Sequence, residues 1–339
     1  MNEATEQTVQ VPEFQKSRVA VIGAGIAGLA AAVVSRQHHL HVSVLEKSRG
    51  VGGRTATRRE GGHHFDHGAP FFTVHDETFQ RHVDTWVNAG IVAPWRGRFA
   101  TYEDDRLEAD VSDAARFVGV PAMNALARHL AGDLNISFQS RVDHVTRDND
   151  QWLLKDVAQN ELGKYDVLLV AVPPEQAKGF LQNAPKLSDQ KSFAQSSPCW
   201  AVMLGFESPV NFDVDAVYIK DSPLAWICRN NSKPGRDQAE SWILHASVEW
   251  SENHLEALPE SVLTLLLAEF NRVTGNEQHK PSVAKAHRWR YAQVARPLRV
   301  GALWDGDLRI GLCGDWLGDG RVEGAFLSGI ELARRMTNP

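Results

Sequence analysis

The chain has 339 residues, 43% hydrophobic and 23% charged, with a formal net charge of −6. It is long enough for two cores, and its acidity gives no sign of a nucleic-acid partner or a polybasic membrane surface. No run approaches the roughly 18 apolar residues of a membrane span. The three cysteines (Cys199, Cys228, Cys313) lack CxxC spacing, which fits a reducing cytoplasm without a disulfide framework.

The first 15 residues are polar, carry Glu3, Glu6 and Glu13 and have no apolar core, so they read as a disordered tail and not as a signal peptide. An apolar strand at 19–22 then runs into Gly23-Ala24-Gly25-Ile26-Ala27-Gly28 and an alanine-rich helix at 29–35. In this pattern Gly23 makes the tight turn, Gly25 lets the backbone approach a pyrophosphate, and Gly28 lets helix pack on strand. The helix N-terminus offers free N–H groups to the phosphates. A second strand at 41–45 ends in Glu46, eighteen residues beyond Gly28, the spacing of a carboxylate that holds a ribose hydroxyl. Strand, turn, helix and acid together predict a bound adenine dinucleotide.

Directly behind Glu46 and Lys47 stands Gly52-Gly53-Arg54. A glycine doublet with an arginine resembles the Gly-Gly-Arg of FAD-binding oxidases, which points the cofactor to FAD and away from NAD. His63 and His67 stand four apart, but Gly61, Gly62 and Gly68 argue against the helix that would put both rings on one face. His38, His39 and His41 have no carboxylate or cysteine close by, so no metal site is expected.

Residues 76–92 carry a helical pattern with Phe79, Val83, Trp86 and Val87 on one face. Short strands and turns follow at 93–112, then a helix ending at Leu130 with Pro121 near its first turn. Strands are expected at 135–138, 140–145 and 152–157, and the near-continuous apolar run 165–172 reads as a parallel strand buried on both faces. From about Ser192 the pattern changes to strands at 200–206, 216–220 and 241–248, a helix at 261–273 and a strand at 283–289. A strand at 308–315 ending in Gly314-Asp315 and a helix at 324–336 close the chain. Gly314 and Asp315 suit a ribityl chain and pyrophosphate, and the helix beginning near Glu323 would aim its N–H groups at flavin N1 and C2=O.

The order GAGIAGL, LEKSRGVGGRTATRR, FDHGAPFFT and GDW…GRVEGAFLSG resembles the FAD-dependent amine-oxidase superfamily over residues 17–337. DSPLAW, RNNSKP, WILHA and HRWRYA narrow the resemblance to the bacterial renalases. One departure is Pro70-Phe71, where that family usually has Gln-Tyr. The resemblance implies a p-hydroxybenzoate hydroxylase-like α/β fold. A discontinuous Rossmann-type FAD domain (16–75, 116–190, 300–339) would carry an inserted α+β substrate domain (76–115, 191–299) on a mixed, largely antiparallel sheet.

Non-covalent FAD is then expected at Gly23, Gly25, Ala27, Gly28, Glu46, Lys47, Gly53, Arg54, Gly68, Ala69, Val142, Gly314, Asp315, Val322, Glu323, Gly324 and Ala325. The implied reaction oxidises 2- or 6-dihydro isomers of NAD(P)H to NAD(P)+, with hydride going to flavin N5 and reoxidation by O2 giving hydrogen peroxide. Such a substrate needs positioning and no general base. Tyr291, His245 and Phe72 (with Phe71) are the expected catalytic-site residues. Trp200, Trp226, Arg229 and Arg288 are expected to bind substrate, Lys233 and Arg236 being further candidates for its pyrophosphate. A core role for His245 and Tyr291, and a surface role for each cation, stay open. The expected assembly is a monomer or weak homodimer. Two other readings remain: a flavin amine oxidase, and a flavin-binding regulatory protein without turnover.

Overall fold

The computed structural model describes residues 17–188, 194–276 and 279–338; the tail at 1–15 lies outside them. The first sheet has six strands in the order Leu303–Asp305, Ile310–Leu312, Val167–Val170, Arg18–Ile22, His41–Leu45, Asn135–Ser137. All its pairings are parallel except that of Leu303–Asp305 at one edge.

Covered on both faces, the central strands can be apolar throughout. Val19 and Val21 enter one core with the helix Ile26–Gln37 and the last helix, Arg321–Thr337. Ala20, Ile22, Leu168 and Val170 enter a second core, with Trp152 and Leu154 of a three-stranded antiparallel layer. The two helices touch closely, since a Cβ on Gly329 would lie 2.2 Å from the Ala27 carbonyl oxygen.

The second sheet has seven strands in the order Val283–Val294, Ser196–Gly205, Ser241–Ala246, Leu224–Arg229, Ala216–Ile219, Phe99–Glu103, Arg106–Ala109. Only Ala216–Ile219 and Phe99–Glu103 pair in parallel. Side chains alternate between its faces. Trp200, Val202, Leu204, Trp242 and Leu244 point outward, against Val262, Leu266 and Phe270 of the helix Pro259–Thr274. Met203, Trp226, Cys228 and Ile243 point inward and join the core of the first sheet.

Some expected elements shift. The helix expected to include Pro121 is Ala125–Ala131, because the chain first turns at Gly119, where a Cβ would lie 2.6 Å from the Ala122 carbonyl oxygen. The strand starting at Val283 continues to Val294, since its ladder with Ser196–Gly205 resumes beyond a bulge. Leu224–Arg229 is a strand that sequence reading passed over: its run of apolar residues has no two-residue alternation.

Candidate functional site

The dinucleotide cradle is built from backbone. Gly23 adopts φ +104°, open to few other residues, and donates its N–H to the Leu45 carbonyl at 2.9 Å. A Cβ on Gly28 would lie 2.0 Å from the Gly23 oxygen, so no other residue fits there. Gly25, by contrast, faces open space, with no atom within 4 Å of a Cβ built on it, and it bridges to Gly52. No side chain caps the helix that Gly25 opens, and its first turn, which holds Ala27, has no acid. Bare backbone beside an uncapped helix start is what a pyrophosphate requires.

Glu46 is buried and accepts from the Ala24 N–H (2.8 Å) and the Ser48 N–H (2.7 Å), leaving lone pairs on both oxygens for ribose hydroxyls. The Ser140 N–H meets the Glu46 carbonyl at 2.9 Å, which brings the start of the strand with buried Val142 to the same place. Lys47 is exposed. Gly53 continues the doublet with φ +53°.

Arg54 and Asp315 face each other. The guanidinium forks onto the carboxylate at 2.6 and 2.8 Å and also donates to the Ala292 carbonyl at 3.2 Å. Sequence reading assigned both residues to the cofactor; the structure makes them partners of one another. Gly68 leaves no room for a side chain beside the Arg54 carbonyl, to which the Ala69 N–H donates at 2.8 Å. Gly314 N–H is held by Ser328 Oγ at 3.0 Å.

The last helix starts at Gly320 without a side-chain cap, and Val322, Glu323, Gly324 and Ala325 form its first turn. The Glu323 carboxylate is turned away, accepting from the His75 and Asp76 N–H groups at 2.7 and 3.1 Å. Its side chain therefore anchors the segment before the helix Glu77–Asn88. These residues fit FAD: the glycine turn opens an uncapped helix beside the buried Glu46 carboxylate, and the last helix, also without a side-chain cap, starts just behind Gly314 and Asp315.

Between this cradle and the second sheet lies the inner face. His245 Nε2 and Trp289 Nε1 both reach the His67 carbonyl oxygen, at 3.2 and 2.9 Å. The His67 ring stacks on Trp289 (5.1 Å between centroids) and meets His287 edge-on (5.0 Å). Tyr291 follows two positions after Trp289 on the same strand. Phe71 packs on Trp226 at 5.6 Å. Burial pushes His67 and His245 down to about 4, with His287 adding to the effect on His67, and burial also lowers His287. All three are neutral near pH 7.

Four expected site residues and both further candidates for the substrate pyrophosphate stand elsewhere. Phe72 is core, packed on Phe79 and Phe117, while Phe71, one position earlier, is the ring that packs on Trp226. Trp200 points outward and bonds the His254 carbonyl at 3.0 Å. Arg288, its register partner, shares that face and pairs with Glu256 at 2.8 Å. Arg229 is spent on the Val210 and Phe212 carbonyls (2.9 and 2.8 Å) and lies 3.3 Å from Glu240. Lys233 and Arg236 are buried against Asp66, at 3.4 and 2.6 Å. Burial alone would raise the Asp66 carboxyl, but these two cations and Thr57 hold it well below the usual carboxylate range. His67, His287 and Trp289 were given no role from sequence; two-residue alternation back from Tyr291 would have found the last two.

Two family models match: an NAD(P)-binding Rossmann-like domain over residues 21–86 and the flavin containing amine oxidoreductase family over residues 98–337. The chain belongs to the flavin containing amine oxidoreductase family. It is an FAD-dependent oxidoreductase, with FAD held non-covalently. Among solved structures, cyclohexylamine oxidase from Brevibacterium oxydans IH-35A is similar, with a TM-score of 0.74 and 15% identity, covering 95% of this chain and 98% of that one. Putrescine oxidase bound to putrescine gives 0.69 at 14% identity, with 96% and 99% covered. A fatty acid isomerase from P. acnes gives 0.68 at 13% identity, with 95% and 99% covered. A fold shared by oxidases and an isomerase leaves the substrate to be read from the site. Among the described residues no helix is long and apolar enough to cross a membrane.

Proposed function

We propose that this flavoprotein is an oxidase of dihydronicotinamide dinucleotides, taking 2- and/or 6-dihydro isomers of NAD(P)H to NAD(P)+, as the resemblance of its substrate-sheet motifs to bacterial renalases implies. One observation carries the reading. The five strands Ser196–Gly205, Ala216–Ile219, Leu224–Arg229, Ser241–Ala246 and Val283–Val294 contain no Asp or Glu, and the histidines on their inner face are held neutral.

An ammonium entering this face would lose water without meeting a counter-charge on those strands, whereas a neutral dihydropyridine would not. The substrate also needs no base, because its own ring nitrogen drives the hydride out. When bound, FAD supplies a hydride acceptor at N5 whose electrons pass to dioxygen as hydrogen peroxide. The chain's part is to hold FAD through Gly23–Gly28, Glu46, Gly53, Gly314 and the uncapped start of the last helix, and to seat a flat ring against Phe71, Trp226, Trp289 and Tyr291.

Anaerobic mixing of the yellow protein with borohydride-reduced NAD+ (a mixture of dihydro isomers), with ordinary NADH and with a panel of amines tests this. Rapid bleaching of the flavin by the isomer mixture alone is expected. Bleaching by amines alone would favour an amine oxidase, and no bleaching by any of them a protein without turnover.

A further inference from the structure

We propose that His245 Nδ1 is the hydrogen-bond acceptor that selects the primary carboxamide of the substrate over a carboxylate. The inference rests on the functional reading above and names the group that this site recognises.

A carbonyl oxygen only accepts, so the 3.2 Å contact between His245 Nε2 and the His67 oxygen places the ring proton on Nε2. Trp289 Nε1 occupies the second position on the same oxygen at 2.9 Å. The His67 carbonyl cannot easily swing aside. On one side of it Asp66 is fixed by Thr57 (2.6 Å), the Met123 N–H (3.0 Å) and Arg236 (2.6 Å); on the other, Gly68 is pressed against the Arg54 carbonyl. With Nε2 protonated and the ring neutral near pH 7, Nδ1 carries a lone pair and no proton.

That nitrogen has no hydrogen-bond partner among the described residues, and the ring is half-buried on the face carrying Trp289 and His287. A bare acceptor in an aromatic wall rewards a ligand that brings an N–H and rejects one that brings another lone pair. The amide of a dihydronicotinamide brings two N–H donors. The carboxylate of the nicotinic acid analogue brings none and adds a charge.

The test compares anaerobic flavin reduction by borohydride-reduced NAD+ and by borohydride-reduced nicotinic acid adenine dinucleotide in wild type, His245→Asn, His245→Gln and His245→Leu. Asn sets an oxygen near the Nδ1 position but does not reach His67; Gln reaches the His67 carbonyl but leaves no acceptor at Nδ1. The holoprotein is expected to prefer the amide series by about a hundredfold or more. His245→Asn should keep most of that preference, and His245→Gln and His245→Leu should bring it within about tenfold. Reduction that persists in a wild type without amide preference, or a preference kept by Gln and lost by Asn, would overturn the role of Nδ1 alone. Reduction by neither series would overturn the functional reading and this inference together.

Discussion

The two faces of the seven-stranded sheet are made by the same strands and both carry aromatic residues, yet they do different things. On the outer face Trp200 and Arg288 lie side by side, with Trp200 bonded to the His254 carbonyl and Arg288 to Glu256. On the inner face Trp289 and His245 bond one backbone carbonyl, and His287 packs edge-on to Trp289. A shift of one residue along a strand exchanges the faces completely. Residue type therefore says little about which tryptophan or arginine meets a ligand; position in the ladder decides it.

The contrast can be broken most severely beneath the inner face. Asp66→Asn leaves Lys233 and Arg236 buried without their anion, and should cost about 3–5 kcal/mol in a denaturant unfolding curve. A loss below about 1 kcal/mol would mean that these cations reach water or another partner.

Acid comes next. His67 and His245 sit at about 4 in the fold against an ordinary 6.5, so the unfolded chain takes up their protons first. Stability from these two is complete above about pH 6.5 and falls as the pH drops toward 4, by about 2 kcal/mol per histidine at pH 5. Thermal unfolding of His245→Gln between pH 7 and pH 5 should show a visibly shallower decline than wild type. Identical slopes would show that His245 does not titrate as a buried neutral group.

Glu46→Ala removes the buried carboxylate that holds the Ala24 and Ser48 amides, and is expected to give protein with little or no FAD on purification. Full flavin occupancy in that variant would show that the ribose is held elsewhere. The smallest effect belongs to the outer face: Arg288→Ala, which loses a partly exposed pair, should shift stability by no more than about 1 kcal/mol.

These differences also explain what could be read in the chain beforehand. The cradle was legible because its requirements are local. Gly28 must lack a side chain within one turn of Gly23, and Glu46 must end the neighbouring strand. The long apolar run around Val167–Val170 likewise announced a central parallel strand. The inner face was not legible, because it depends on register between strands far apart in sequence. Bulges between Ser197 and Cys199 and between Leu224 and Trp226 reset the alternation where aromatics had to be assigned to a side. Phe71 and Phe72 differ by one position, yet Phe71 packs on Trp226 and Phe72 on Phe79 and Phe117. Arg229 gave no hint in sequence that two distant carbonyls would occupy it.

The most direct test of the division between the faces is the anaerobic rate of flavin reduction by the dihydro-NAD isomer mixture in Trp226→Ala and in Arg288→Ala. The inner-face variant should be slowed by about tenfold or more and the outer-face variant should match wild type. A slow Arg288→Ala beside an unimpaired Trp226→Ala would contradict the assignment of the inner face as the substrate wall.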